Sequence, residues 1–116
     1  MNIKDLAKTV HAMAIKKGWW DEPIIGGQII PRSIGDQFAN FHSEISEAWE
    51  DYRNGKQINV VYHDNDKPEG IPIELADLII RVLDTCEAYN IDIERAIVEK
   101  LAYNASRKYR HGNKLA

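Results

Sequence analysis

One cysteine cannot close an internal disulfide, and this chain has only Cys86. A disulfide-stapled secreted scaffold is excluded, and because Cys86 falls in an apolar helical sector, a buried thiol in a reducing cytoplasm is expected. Positive charge is also scarce. Fifteen Lys and Arg face 18 Asp and Glu, for a net charge of -3 and a pI near 5.8, so nothing draws the chain to nucleic acid polymers or anionic membranes. No apolar run approaches the ~20 residues of a membrane span, and no leader pattern opens the chain. A soluble, unprocessed cytoplasmic protein is the expectation. Repeats, heptad arrays and low-complexity tracts are absent too. What remains is a chain of 116 residues, read as one domain, 1–116, long enough to bury roughly two-thirds of its unfolded surface.

The informative stretch runs from Glu44 to Asp77. It holds two carboxylate pairs, Glu44/Glu47 and Glu74/Asp77, each at i,i+3 spacing on a predicted helix and separated by 26 residues rich in turn signals. Positions i and i+3 share a helix face, so each pair aims two acids one way. Four convergent carboxylates repel one another unless cations sit between them, and oxygen-only ligation suits Mg2+, with Mn2+ as a substitute. From Ser33 to Asn54 there are five acids and one base, Arg53, so intrahelical ion pairs do not account for these acids.

Periodicity predicts four principal helices. The first runs from about Ile3 to Lys17, with an apolar stripe of Ile3, Leu6, Val10, Met13 and Ala14 and with His11 to one side. The stretch from Gly18 to Arg32 is too rich in Gly and Pro for a long helix and carries Trp19 and Trp20, one ring suited to anchoring the loop and the other to stacking on a base. The second helix follows Pro31, with Ser33 and Asp36 as a capping box and with Phe38, Phe41, Ile45, Ala48, Trp49 and Tyr52 on one face. From Lys56 to Gly70 a long loop is expected, a lid or an oligomer contact. The third helix starts near Pro72; its apolar sector spans roughly 200°, leaving a ribbon of Glu74, Asp77, Arg81 and Asp84. The fourth runs from about Ile93 to Tyr109, where an inward face of Ile93, Ala96 and Ile97 continues as Lys100, Asn104 and Arg107. Six Lys/Arg and one acid lie between Arg95 and Lys114, so this end is the natural partner of the acids or of an anion they hold.

The segments HSEISEAWEDYRNGK, KPEGIPIELADLIIRVLD and KLAYNASRKYRHGNK together resemble the MazG-like members of the all-α nucleoside triphosphate pyrophosphohydrolase superfamily. The resemblance covers about Gln37 to Lys114. It implies an all-α bundle of four to five helices, completed by assembly into a homodimer or homotetramer. It also implies Mg2+ ligation by Glu44, Glu47, Glu74 and Asp77, substrate binding by Lys100 and Asn104 with Arg107 nearby, and a nucleoside bordered by His11, a ring of the tryptophan pair, taken as Trp20, and Trp49. Arg81 departs from the pattern, standing where such relatives tend to carry an aromatic residue, and Tyr109-Arg110 stands in place of a Tyr-Pro.

The activity so implied is Mg2+-dependent hydrolysis of a (d)NTP to (d)NMP and pyrophosphate, with Glu47 or Glu50 accepting the proton of the attacking water. Two alternatives use the same residues differently. One is hydrolysis of another diphosphate-containing nucleotide, an alarmone or phosphoribosyl-nucleotide. The other is a non-catalytic helical interaction protein whose acids pair with bases across an oligomer interface.

Overall fold

A computed structural model describes residues 2–116. The chain is mostly helical, with two small two-stranded sheets. In order, it forms α1 (Ile3–Lys16), β1 (Ile24–Ile25), β2 (Gln28–Ile29), α2 (Ile34–Arg53), β3 (Tyr62–Asp64), β4 (Lys67–Glu69), α3 (Ile71–Ala88), α4 (Ile93–Ser106) and the short turn α5 (Arg110–Asn113). Local chemistry sets the helix starts. Asn2 accepts from the Asp5 amide, Asp92 from the Arg95 amide, and Ser33 and Asp36 close the expected capping box, while Pro72 occupies the first turn of α3. The capping side chains satisfy amides that would otherwise lack partners at a helix start, and Pro72 has no amide hydrogen to satisfy.

Both connections read as loops contain hairpins instead. β1 pairs with β2 across Gly26-Gly27, and β3 with β4 across Asn65-Asp66. All four turn residues have positive φ (58°, 76°, 48° and 69°), the backbone of a two-residue turn whose twist matches that of paired strands. Asn and Asp tolerate this conformation almost as well as Gly, so Asp64-Asn65-Asp66, which looks like a strand breaker, is the turn itself.

The third helix is the spine, packing against α2 on one side and α1 on another, while α4 makes a smaller contact with α1. Its buried positions include Ile71, Leu83 and Cys86, which join Ala7 and Ala48 in the core; burial raises the Cys86 thiol pKa. The orientation of α2 differs from the simplest reading of its sequence. It turns Gln37, Glu44 and Ala48 inward and leaves Phe38, Ile45, Trp49 and Tyr52 exposed. The radius of gyration, 17.5 Å, exceeds the ~13 Å of a compact chain of this length. No helix of the described residues is long and apolar enough to cross a membrane.

A candidate metal centre between two cavities

The inward turn of α2 sets Glu44 against the polar ribbon of α3. Two turns earlier on the same face, Gln37 Oε1 accepts a 3.4 Å hydrogen bond from the buried Thr85 hydroxyl, which fixes the register of the two helices. In that register, carboxylate oxygens of Glu44, Glu74 and Asp77 lie within 4.8 Å of one another. Glu47 stands next to Glu74, close enough for its charge to raise the Glu74 pKa. Three of the four predicted acids therefore meet at the α2–α3 contact, with Glu47 beside them.

Glu44 is the decisive member, being only 6 % exposed. Arg81 Nε donates to its Oε1 at 2.6 Å, while its Oε2 is buried with no hydrogen-bond partner. Such an atom has lost its water without compensation, a costly state unless a cation supplies the missing contact. A hard divalent ion fits this all-oxygen donor set.

Electrostatics point the same way. Glu74 has its pKa pushed up to about 7, first by burial, then by the hydrogen bond with Glu47, then by the negative charges of Glu47, Asp77 and Glu44. Folded Glu74 thus keeps its proton to a higher pH than it does unfolded. Its contribution to stability is undiminished below the ordinary value of 4.5 and is lost as pH rises through about 7. The metal-free Glu74→Gln variant should accordingly gain in melting temperature on the wild type as pH rises from about 5 to about 8. Divalent cation must displace the same proton, so Mn2+ affinity should strengthen over that range, with proton release visible by calorimetry in two buffers of different ionisation enthalpy. A pH-independent affinity without proton release counts against Glu74 as a ligand.

The cluster forms a wall between two cavities. On one side, β3 and β4 cover a space of about 400 Å³ lined by Glu47, Glu50, Glu74, Tyr62 and Glu69. On the other, α1 and the β1–β2 region border a space of about 370 Å³ lined by Glu44, Asp77, Arg81, Trp19, Arg32 and Asn40, among others. Asp84 ends the ribbon there. It accepts from His11 Nδ1 at 2.7 Å and from Trp20 Nε1 at 2.9 Å, while Arg32 lies 5.0 Å from the Trp20 ring centroid. These bonds tie α1 and the tryptophan segment to α3.

Several expected site residues therefore stand elsewhere. His11 and Trp20 are occupied with Asp84, and the ring facing the cavity is Trp19, 63 % exposed. Trp49 stacks on Tyr52 with centroids 5.8 Å apart on the exposed face of α2 and lines neither cavity. Lys100 and Arg107 lie over the Tyr103 ring on α4, and neither they nor Asn104 line the acid-bordered cavities. The expected meeting of basic α4 with the acids does not occur within one chain. The physical reason is that α4 docks on α1, where the Lys4 amide donates to Glu94, rather than on the α2–α3 face.

Arg32, Gln37, Asn40 and the β3–β4 wall carry no mark of a site in the sequence reading, whereas the tryptophan pair and Asp84 do. Gln37 could have been found by its i,i+7 spacing from Glu44; the hairpin residues carry no comparable signal. Fold and site define a mostly helical protein with a carboxylate cluster able to hold a divalent cation. No family model, curated protein or solved structure matches this chain.

Proposed function

We propose that this protein is a MazG-like, Mg2+-dependent nucleoside triphosphate pyrophosphohydrolase, Mn2+ being an alternative cation. The observation that carries this reading is the buried, unpartnered Glu44 Oε2, in a cluster with Glu74 and Asp77 whose members border a cavity on either side. When bound, the cation supplies charge neutralisation at phosphate oxygens and acidifies a water at the site. The chain's own groups do the rest. Glu47 is better placed than Glu50 to accept the water's proton, because Glu50 is exposed and paired with Arg53 at 3.1 Å, whereas Glu47 lines a cavity beside Glu74. Water oxygen bonds to the α phosphorus as the α–β anhydride bond breaks, yielding a monophosphate and pyrophosphate. The 370 Å³ cavity takes the nucleoside, with Trp19 as stacking face.

Assembly is part of the same proposal. Phe38, Ile45, Trp49 and Tyr52 form an apolar stripe that a second copy would cover, in a dimer or tetramer that also makes the cations of α4 available to another copy's substrate. A monomeric mass by light scattering removes this part. The same stripe favours the non-catalytic interaction protein as the second reading, because it is a docking surface whether or not catalysis occurs.

The deciding experiment incubates the protein with standard and damaged NTPs and dNTPs, and with alarmone and phosphoribosyl-nucleotide controls, in Mg2+ or Mn2+. Pyrophosphate with monophosphate is the expected result; orthophosphate with diphosphate, or no turnover of any of them, overturns the reading. Within the active set, Trp19→Ala should raise KM about tenfold with a smaller change in kcat, since base stacking is worth roughly 1–3 kcal/mol. An unchanged KM places the base elsewhere.

A further inference from the structure

Arg81 lies on the α3 ribbon between Asp77 and Asp84, yet its guanidinium reaches across to α2. Nε donates at 2.6 Å to Glu44 Oε1, and the pairing is asymmetric in burial, with the carboxylate 7 % exposed and the arginine 42 % exposed. The terminal nitrogens of Arg81 make no hydrogen bond to protein among the described residues, and the side chain borders the 370 Å³ cavity. Arginine stays charged at all working pH values, so the guanidinium keeps its charge at this contact.

A carboxylate that bridges two cations commonly gives one oxygen to each, as in sites where two ions stand roughly 3.5–4 Å apart. On Glu44 only Oε2 is without a partner, while a permanent positive charge stands 2.6 Å from Oε1 and repels a second cation there. Glu44 is also the most buried acid of the cluster, held between α2 and α3.

We propose that Arg81 is a tethered counter-cation occupying the charge position of a second metal ion. The acid cluster then takes one divalent cation per chain, and the terminal nitrogens of Arg81 face the phosphate groups of the substrate. This deepens the proposed function and rests on it for the identity of the anion; the cation count does not depend on catalysis. Arg81 acts as a positioning residue for Glu44 and supplies a fixed positive charge toward the nucleotide.

The test titrates Mn2+ alone into metal-stripped protein, with stoichiometry read by calorimetry and free Mn2+ followed by electron paramagnetic resonance. Wild type should bind one Mn2+ per chain at this cluster. Arg81→Gln, which frees Oε1 of Glu44, should bind a second, whereas Arg81→Lys, which keeps a charge, should stay at one. Two ions per chain in wild type, or one in Arg81→Gln with unchanged affinity, overturns the inference. Should Arg81→Gln not fold, the wild-type and Arg81→Lys counts decide: one ion in each supports it, two in either overturns it.

The two proposals can fail separately. Stoichiometry as expected without nucleotide hydrolysis sinks the enzymatic reading and leaves the counter-cation standing. Mg2+-dependent pyrophosphate release by a wild type that binds two ions does the reverse. Absence of Mn2+ binding in every form overturns both.

Discussion

Replacing Glu74 by Gln and Asp77 by Asn together is expected to lower Mg2+-dependent pyrophosphate release by at least about 10²-fold, since even groups that merely orient metal ligands carry 10- to 100-fold effects. The metal-free variant should meanwhile melt at a higher temperature than metal-free wild type near neutral pH. Loss of activity alone does not distinguish a metal site from a broken fold, but an opposite change in stability does. In the wild type the carboxylates of Glu44, Glu74 and Asp77 approach within 4.8 Å with one guanidinium among them, and neutral amides remove part of that repulsion without changing side-chain shape. Mg2+ should raise the melting temperature of the wild type and leave that of the variant unchanged. A double variant that keeps wild-type turnover or wild-type stabilisation by Mg2+ removes the acids from the mechanism.

Gly70→Ala is expected to destabilise the protein by about 3 kcal/mol or more, lowering the melting temperature by roughly 10–20 °C. Gly70 joins β4 to α3 with φ 118° and ψ 171°, a conformation essentially confined to glycine. A Cβ there would lie 2.5 Å from the Val60 carbonyl oxygen, a backbone atom that cannot rotate aside, and 3.4 Å from the Tyr62 ring. The Gly70 carbonyl accepts from the amides of Ile73 and Glu74, so displacement at this junction is transmitted to the first turn of α3 and to a cluster acid. Gly55→Ala is the control. Gly55 also has positive φ, 85°, but a Cβ there meets nothing within 4 Å, so only the left-handed backbone strain of about 1–2 kcal/mol applies. Equal melting temperatures for the two variants would mean that the β3–β4 wall does not hold its close approach in solution.

Capping and spacing were legible in the sequence because they act within one helical turn. Ser33 with Asp36, Asp92 before Ile93 and Pro72 at the start of α3 each placed a helix end to within a residue or so. The carboxylate pairs were legible for the same reason, since i,i+3 spacing commits two side chains to one face whatever surrounds the helix. The end of α4 was less so: Ser106 precedes the expected Tyr109 because Arg107 leaves the helix with extended backbone.

Which face of α2 enters the core lay beyond such local reasoning. The helix carries two stripes, one of Gln37, Glu44 and Ala48 and one of Phe38, Ile45, Trp49 and Tyr52, and the second is the more apolar. Only the facing surface of α3, with Thr85 for Gln37 and Arg81 for Glu44, selects the first. The same holds for the tryptophans: adjacent in sequence, they diverge because Asp84, 64 residues beyond Trp20, accepts from one indole and leaves Trp19 to the cavity. The sequence by itself determined the helices, their caps and the pairing of acids, all set by the geometry of a few consecutive residues. The tertiary structure decided what those acids meet, because hydrogen bonds and burial between distant segments depend on the relative placement of whole helices, which no local pattern encodes.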